Sequence, residues 1–467
     1  MTHGFCRTWA NLALEASLNY LANFLTPAVR IYGISPASAG LRSDWPPLST
    51  WEKLEPSYKP NRPGGPVLTF VEVEMTSREK EYLLFPQERD LRLDFLRGIG
   101  QWMVFLDHIP FDVVNWLTFR NYGFSDAAEL FVFISGYTAG FVYGPAVREG
   151  RIFAATARLL KRVWQLYVAH VFLFVFFIAY IAQTAEHYDN PMLAHEFNIF
   201  NFLRHPDVML LQGLLLKFKP VDLDVLPLYI VLLLASPLLL WLMTRRPSLT
   251  LFAAAVLYLV ARALDWNLPS FPAGTWYFNP ITWQLLFVFG MWCALGGAKT
   301  LAPLIHSRAA LVLAVGYLVF AFLIVMTWHV PSWARFVPPW LAHAMYPIDK
   351  TSLDPLRLIH FLAMAALAVR YIPRAWPALT ARWSRPLVLC GQHSLPIFVF
   401  GTFLSFAAHI ILVEISNTVV VQILVSVVGI TLLVAAAWLM TWYRKKVELQ
   451  FQSQTWEKGV PAGATSN

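Results

Sequence analysis

The sequence predicts an all-α polytopic membrane protein, a bundle of about ten transmembrane helices, and three observations predict it. Only 14% of the 467 residues are charged and 57% are hydrophobic, with a mean hydropathy of +0.52, whereas a soluble domain carries roughly 25% charged residues. Apolar runs near the ~20 residues that span a bilayer core follow one another through the chain. Lysine and arginine are distributed unevenly over the loops between those runs, as a fixed orientation in the membrane requires.

The net charge of +8 has its source in basic loops. Nucleic-acid binding is disfavoured because the basic residues sit between apolar segments. Cys6, Cys293 and Cys390 lie far apart, so neither a disulfide framework nor a zinc spacing is present. The 19 tryptophans suit interfacial belts.

Residues 1–87 read as an N-terminal extension. The stretch from Ser35 to Pro66 is rich in Pro, Ser and Gly and has no period, which predicts disorder. Met75 opens a compact polar lead into the first apolar run, so it is a candidate for the biological start, which mass spectrometry of the native N-terminus decides. The membrane domain covers 88–445, and 446–467 form a cytoplasmic tail. The runs fall at about 91–111, 126–147, 163–184, 225–244, 248–265, 281–298, 309–329, 355–372, 386–412 and 417–442. Residues 196–217 are apolar but broken by Arg204, His205, Pro206 and Asp207, which predicts an interfacial or re-entrant segment. One set of alternating loops and the C-terminal tail carries sixteen Lys and Arg, the opposite set eight. The excess marks the cytoplasmic side. An even number of helices then puts both termini in the cytoplasm of a cell whose inner membrane holds the protein.

Ionisable residues inside apolar runs are costly and therefore informative. The first run holds Arg92, Asp94, Arg97, Asp107 and His108, and the second holds Glu129. Arg97 and His108 are eleven residues apart, about 16 Å and three turns along a helix, so they share a face. Taken singly, each has a bland reading: Arg97 snorkels to phosphate head groups, and His108 is a satisfied interfacial histidine. The pair on one face points instead to a site. His393 is followed by Pro396 in the ninth run, so a kinked helix with a buried histidine either lines a cavity or serves packing. Asp222 and Asp224 precede Pro227 and read first as caps of the fourth helix, with substrate contact as the alternative. His195, His205, His306 and His409 have no metal-like spacing.

These residues lie in strings that carry a resemblance. RGIGQWMVFLDH (97–108) resembles the Arg-x10-His signature of acyltransferase family 3 membrane proteins, and RLLKRVWQLY (158–167) their basic third-helix motif. LRLDFLRG (91–98), DAAELFVFISGY (126–137), VDLDVLPLYIVLLL (221–234) and FNPITWQLLFVFG (278–290) resemble, in this order, the OpgC family of that superfamily. So do DKTSLDPLRLIHFLA (349–363) and CGQHSLPIFVFGTFLS (390–405). Many superfamily members carry Asp where this chain has Glu129.

The resemblance implies succinylation of osmoregulated periplasmic glucans, with no bound cofactor and with acyl-CoA, here succinyl-CoA, as co-substrate. The implied partners are acyl-CoA, the glucan and the lipid bilayer. A hydroxyl is a poor nucleophile, so a base is needed, and His108 suits that role. Glu129 or Asp126 would orient its imidazole, and His393 is the reserve base. Arg97, Arg151, Arg158, Lys161 and Arg162 would hold the donor's phosphates. Trp276, Asp349 and Lys350, in aromatic loops on the opposite side, would receive the sugar, although an interfacial belt explains many of those aromatics as well. Acetyl transfer to another envelope polysaccharide is one alternative. A transporter is another, but transporters often have two halves that echo each other, and no half-to-half echo is visible here.

Overall fold

The computed structural model describes residues 90–457, with side chains to 447. The N-terminal extension, Met75 and Cys6 lie outside the described residues. Among the described residues, ten helices have 13 residues or more. They are α1 (Leu91–Asp107), α2 (Ala127–Arg148), α3 (Ile152–His187), α4 (Val225–Arg245) and α5 (Pro247–Ala263). After these come α6 (Pro280–Trp292), α7 (Arg308–His329), α8 (Pro355–Tyr371), α9 (Ser394–Ile410) and α10 (Val419–Glu457). Among the described residues there is no strand, only an isolated bridge between Pro269 and Thr275.

Each of the ten apolar runs holds one of these helices, and the number that cross the membrane turns on their lengths. Among the described residues seven helical stretches are long and apolar enough to cross a bilayer, α6 and α9 reaching that length through the turns that continue them to Ile305 and Ile415. The other three, α1, α5 and α8, have 17 residues each, about 25 Å of helix against a core of about 30 Å. Seven is odd and ten is even, so the side on which each terminus lies depends on how these three sit in the bilayer.

Local chemistry accounts for the other differences. The basic stretch 152–162, expected in a loop, is the start of α3, which runs 36 residues. The break expected in 196–217 is real: helices Phe200–Arg204 and Pro206–Leu214 meet at His205, where proline disfavours helical backbone in the residue before it. The ninth run is not one kinked helix. A helix Arg385–Gln392 ends at His393, and α9 begins with Ser394. The last helix continues well past residue 442, into the segment expected to be a tail.

Most of the buried apolar side chains form one core among α2, α3, α4, α5 and α6, with contributions from α8 and α9, and a second cluster joins α1, α9 and α10. The seam between α2 and α6 is a close one. A Cβ on Gly136 would sit on the carbonyl oxygen of Phe287, and one on Gly290 on that of Phe133. Lipid offers no hydrophobic drive for helices to associate, so small residues that let backbones approach supply the packing. By contrast α7 is largely exposed along its length, as a lipid-facing helix would be.

Candidate active site

The helices surround a cavity of about 1320 Å³ lined from α1, α2, α3, α4, α8, α9 and the segments between them. Asp90 starts α1 by accepting a hydrogen bond from the Arg92 backbone N–H at 3.1 Å, and the helix ends at His108. Its length thus places Arg97 and His108 about 16 Å apart along one helix, and both line the cavity. Arg97 hydrogen-bonds the Thr138 hydroxyl of α2 and lies 3.8 Å from Asp94. Between the two, Gln101 lines the same wall and donates to the Ser394 carbonyl at 3.0 Å. Tyr229, from α4, also lines the cavity, and its buried hydroxyl has no hydrogen-bond partner among the described residues.

Each nitrogen of His108 has an oxygen close by. Nδ1 lies 2.5 Å from the Val104 carbonyl oxygen one turn back, and Nε2 lies 3.3 Å from Asp222 Oδ1. The carboxylate beside the imidazole is therefore Asp222, not the expected Glu129 or Asp126. Nor does either aspartate of the 221–224 segment cap α4: Asp224 occupies the N-cap position without a side-chain capping bond. The segment carries Lys219, Asp222 and Asp224 to the cavity. Burial pushes the Asp224 carboxyl up to about 7, against the opposing pull of Lys219. Burial likewise draws the Lys219 ammonium down to about 8, with Asp224 acting the other way. Lys219 is also held over the Trp276 ring, 3.9 Å from its centroid.

Glu129 belongs to a different construction. Asp126 and Glu129 form a capping box at the start of α2, in which Asp126 accepts from Ala128 N–H at 2.8 Å and Glu129 from Asp126 N–H at 2.9 Å. Two cations close it. Arg357 Nε donates to Glu129 Oε1 at 2.8 Å, and its Nη2 reaches Asp126 Oδ2 at 3.1 Å. Lys350 Nζ donates to Asp126 Oδ2 at 2.6 Å. Glu129 is wholly buried and does not line the cavity, whereas Asp126, Lys350 and Arg357 do. In this structure Glu129 holds the start of α2, behind the Asp126 and Arg357 side chains that reach the cavity.

The other expected site residues divide in the same way. Arg162 lines the cavity, whereas Arg158 and Lys161 point outward from α3 and Arg151 pairs with Glu149 at the surface. Asp349 folds onto its own turn, accepting from the Thr351 and Ser352 N–H groups at 2.8 Å each. Trp276 is 5% exposed beneath Lys219 and does not line the cavity. His393 also lies away from it, with Nε2 2.9 Å from the Thr441 hydroxyl of α10. Sequence reasoning misses Asp222 as a partner of His108 and misses Arg357 altogether. An arginine inside the apolar run 355–372 is the available signal for the latter.

A helical membrane bundle whose ionisable side chains turn inward onto a shared cavity, away from lipid, is the layout of a membrane protein that handles a polar ligand within the bilayer. Within that class the chain belongs to the OpgC family, whose description reads OpgC protein and which matches residues 89–445. That range holds nearly every described helix and all the cavity-lining residues. Comparison with curated proteins and with solved structures gave no match.

Proposed function

We propose that the protein is an integral membrane O-acyltransferase of the acyltransferase family 3 superfamily, moving a succinyl group from succinyl-CoA to hydroxyls of a periplasmic glucan. Membership of the OpgC family supports the class of reaction. The observation that carries the site is the placing of Arg97 and His108 on one wall of one cavity. The acyl-CoA enters from the cytoplasm, where exposed Arg158 and Lys161 raise its local concentration, and Arg97 and Arg162 take its phosphates. The pantetheine arm then runs past Gln101 and Tyr229 toward His108, where the acceptor arrives from the periplasmic side. In this orientation both termini are cytoplasmic and the protein resides in the inner membrane.

A carbonyl oxygen only accepts, so the Nδ1 of His108 must be the donor to Val104, which leaves the Nε2 lone pair for the reaction. Nε2 takes the proton of the sugar hydroxyl as its oxygen bonds to the thioester carbon. The carbon–sulfur bond breaks, and the proton passes from His108 to the departing thiolate, giving free CoA thiol and the ester. General-base catalysis of this kind contributes about 10²–10⁴-fold.

The test is mass spectrometry of periplasmic glucans from a deletion strain complemented with wild type or His108→Ala, normalised to correctly inserted protein. Wild type is expected to restore succinylation and His108→Ala to lose it. His108→Gln should stay inactive, because an amide cannot take up the proton. Near-normal modification by His108→Ala would remove the histidine from the mechanism, and an unmodified glucan with wild type would remove the proposed reaction.

A further inference from the structure

We propose that Asp222 is a positioning residue for His108: it accepts from the Nε2–H of the ring once that nitrogen has taken up a proton, and so supplies the countercharge. The proposal rests on the acyltransferase reading above, and two structural observations carry it. The carboxylate lies 3.3 Å from Nε2, the nitrogen left free by the Val104 bond. Both residues line the cavity. The φ of +72 at Asp222 belongs to the turn Pro220–Leu223, closed by the Leu223 N–H donating to the Pro220 carbonyl at 3.3 Å, a conformation that Asp and Asn tolerate best.

The chemistry fits the geometry. Deprotonating a hydroxyl turns a neutral imidazole into a cation within a partly water-excluded cavity, where an isolated charge is costly. A carboxylate already at Nε2 meets that charge as it develops, with no rearrangement at the moment of reaction. Asp222 takes no proton in the overall step; the proton moves from hydroxyl to His108 to thiolate.

Because Asn accepts the same backbone conformation, Asp222→Asn removes the charge alone, and Asp222→Gly removes the side chain and relaxes the backbone. In purified full-length protein assayed with succinyl-CoA and glucan, Asp222→Asn is expected to lower kcat about 100-fold, the scale of losing one preorganised partner of a developing charge. KM for succinyl-CoA should stay within about twofold, because the phosphates are held at the Arg97 end. Asp222→Glu should recover part of kcat. Asp222→Gly should be as slow as Asn while its thermal transition is no lower than wild type. In a His108→Ala background, Asp222→Asn should cost nothing further.

A second measurement is independent of turnover: the rate at which diethyl pyrocarbonate modifies His108, read by mass spectrometry of its peptide. Asp222→Gly removes the group beside Nε2, whereas the Asn amide can still donate to it, so Asp222→Gly should react several-fold faster than wild type. An Asn variant within threefold of wild-type kcat, or the same loss of rate in the His108→Ala background, would overturn the positioning role. An unchanged labelling rate would overturn the contact itself. Wild-type protein that transfers no acyl group, while Asp222→Gly still accelerates labelling, would overturn the transferase reading and leave the pairing standing.

Discussion

Arg357→Met tests what the charged cluster at the start of α2 is for. The substitution keeps length and apolar volume and removes the guanidinium. Asp126 retains Lys350 at 2.6 Å and the Ala128 N–H at 2.8 Å. Glu129 loses its cation and keeps one partner, the Asp126 N–H at 2.9 Å. The loss therefore falls on a carboxylate with no exposed surface. Breaking a buried ion pair from one side costs about 3–5 kcal/mol, because the remaining charge is left uncompensated. Adding Glu129→Gln removes that charge, and the amide oxygen can still accept from Asp126 N–H. The double variant should thus recover most of the loss and end within about 1–2 kcal/mol of wild type. The assay is equilibrium unfolding of purified protein in mixed micelles titrated with sodium dodecyl sulfate, completed as a four-corner cycle. Arg357→Met within about 1 kcal/mol of wild type, the range of a surface pair, or losses that simply add in the double variant, would refute the reasoning. Activity per folded molecule separates structure from chemistry. Glu129→Gln should retain it, whereas a hundredfold loss would return Glu129 to the reaction.

Three further outcomes follow from the same geometry. Arg97→Ala should raise the succinyl-CoA KM about 10- to 100-fold, the equivalent of about 1.5–3 kcal/mol for one charge-assisted hydrogen bond. Arg97→Lys should recover only part of that, because the bidentate fork is lost; steady-state kinetics on purified protein decides both. Gly136→Ala should lower the yield of folded protein, with a cost of about 1–3 kcal/mol for overpacking a tight seam. Gly316→Ala, where a Cβ meets nothing within 4 Å, should not; fluorescence-detected size exclusion compares the two. Reporter fusions after Glu149 should be active with a cytoplasmic marker and silent with a periplasmic one; the reverse would overturn the orientation and the side from which the donor enters.

The helical skeleton is legible in the sequence because apolar runs of bilayer length leave little choice of structure. The shared face of Arg97 and His108 is legible too, since eleven residues is close to three whole turns. Partnerships across long sequence separations are not. Glu129 is conspicuous as an acid in an apolar run, yet its partner Arg357 lies 228 residues away, and nothing local tells a catalytic acid from half of an ion pair. Asp222 is hidden for the opposite reason: an aspartate just before a helix has a default role as a cap, and only the fold turns it onto His108. The sequence suggests too large a donor set because charge identifies an end of the molecule and not a direction. Among Arg158, Lys161 and Arg162, all within about one turn, only Arg162 lines the cavity. His393 is misplaced because Pro396 suggests a kink within one helix, whereas the chain ends one helix and starts another there.

The size and polarity of the cavity have a consequence for how acyl groups are spent. A volume of about 1320 Å³ exceeds the 300–1,000 Å³ usual for small-ligand pockets, and its polar wall invites water as readily as sugar. Under the proposed mechanism, a histidine that activates a hydroxyl activates water equally well, so thioester hydrolysis is the natural side reaction. What restrains it is occupancy. An oriented acceptor hydroxyl acts at an effective concentration on the order of 10⁵–10⁸ M, far above that of water itself, so transfer wins whenever glucan is seated. With the acceptor absent, nothing in the chemistry at His108 prevents a slow loss of donor. The order in which the two substrates arrive then determines how much cytoplasmic thioester is wasted, and acceptor-first binding would keep the leak small.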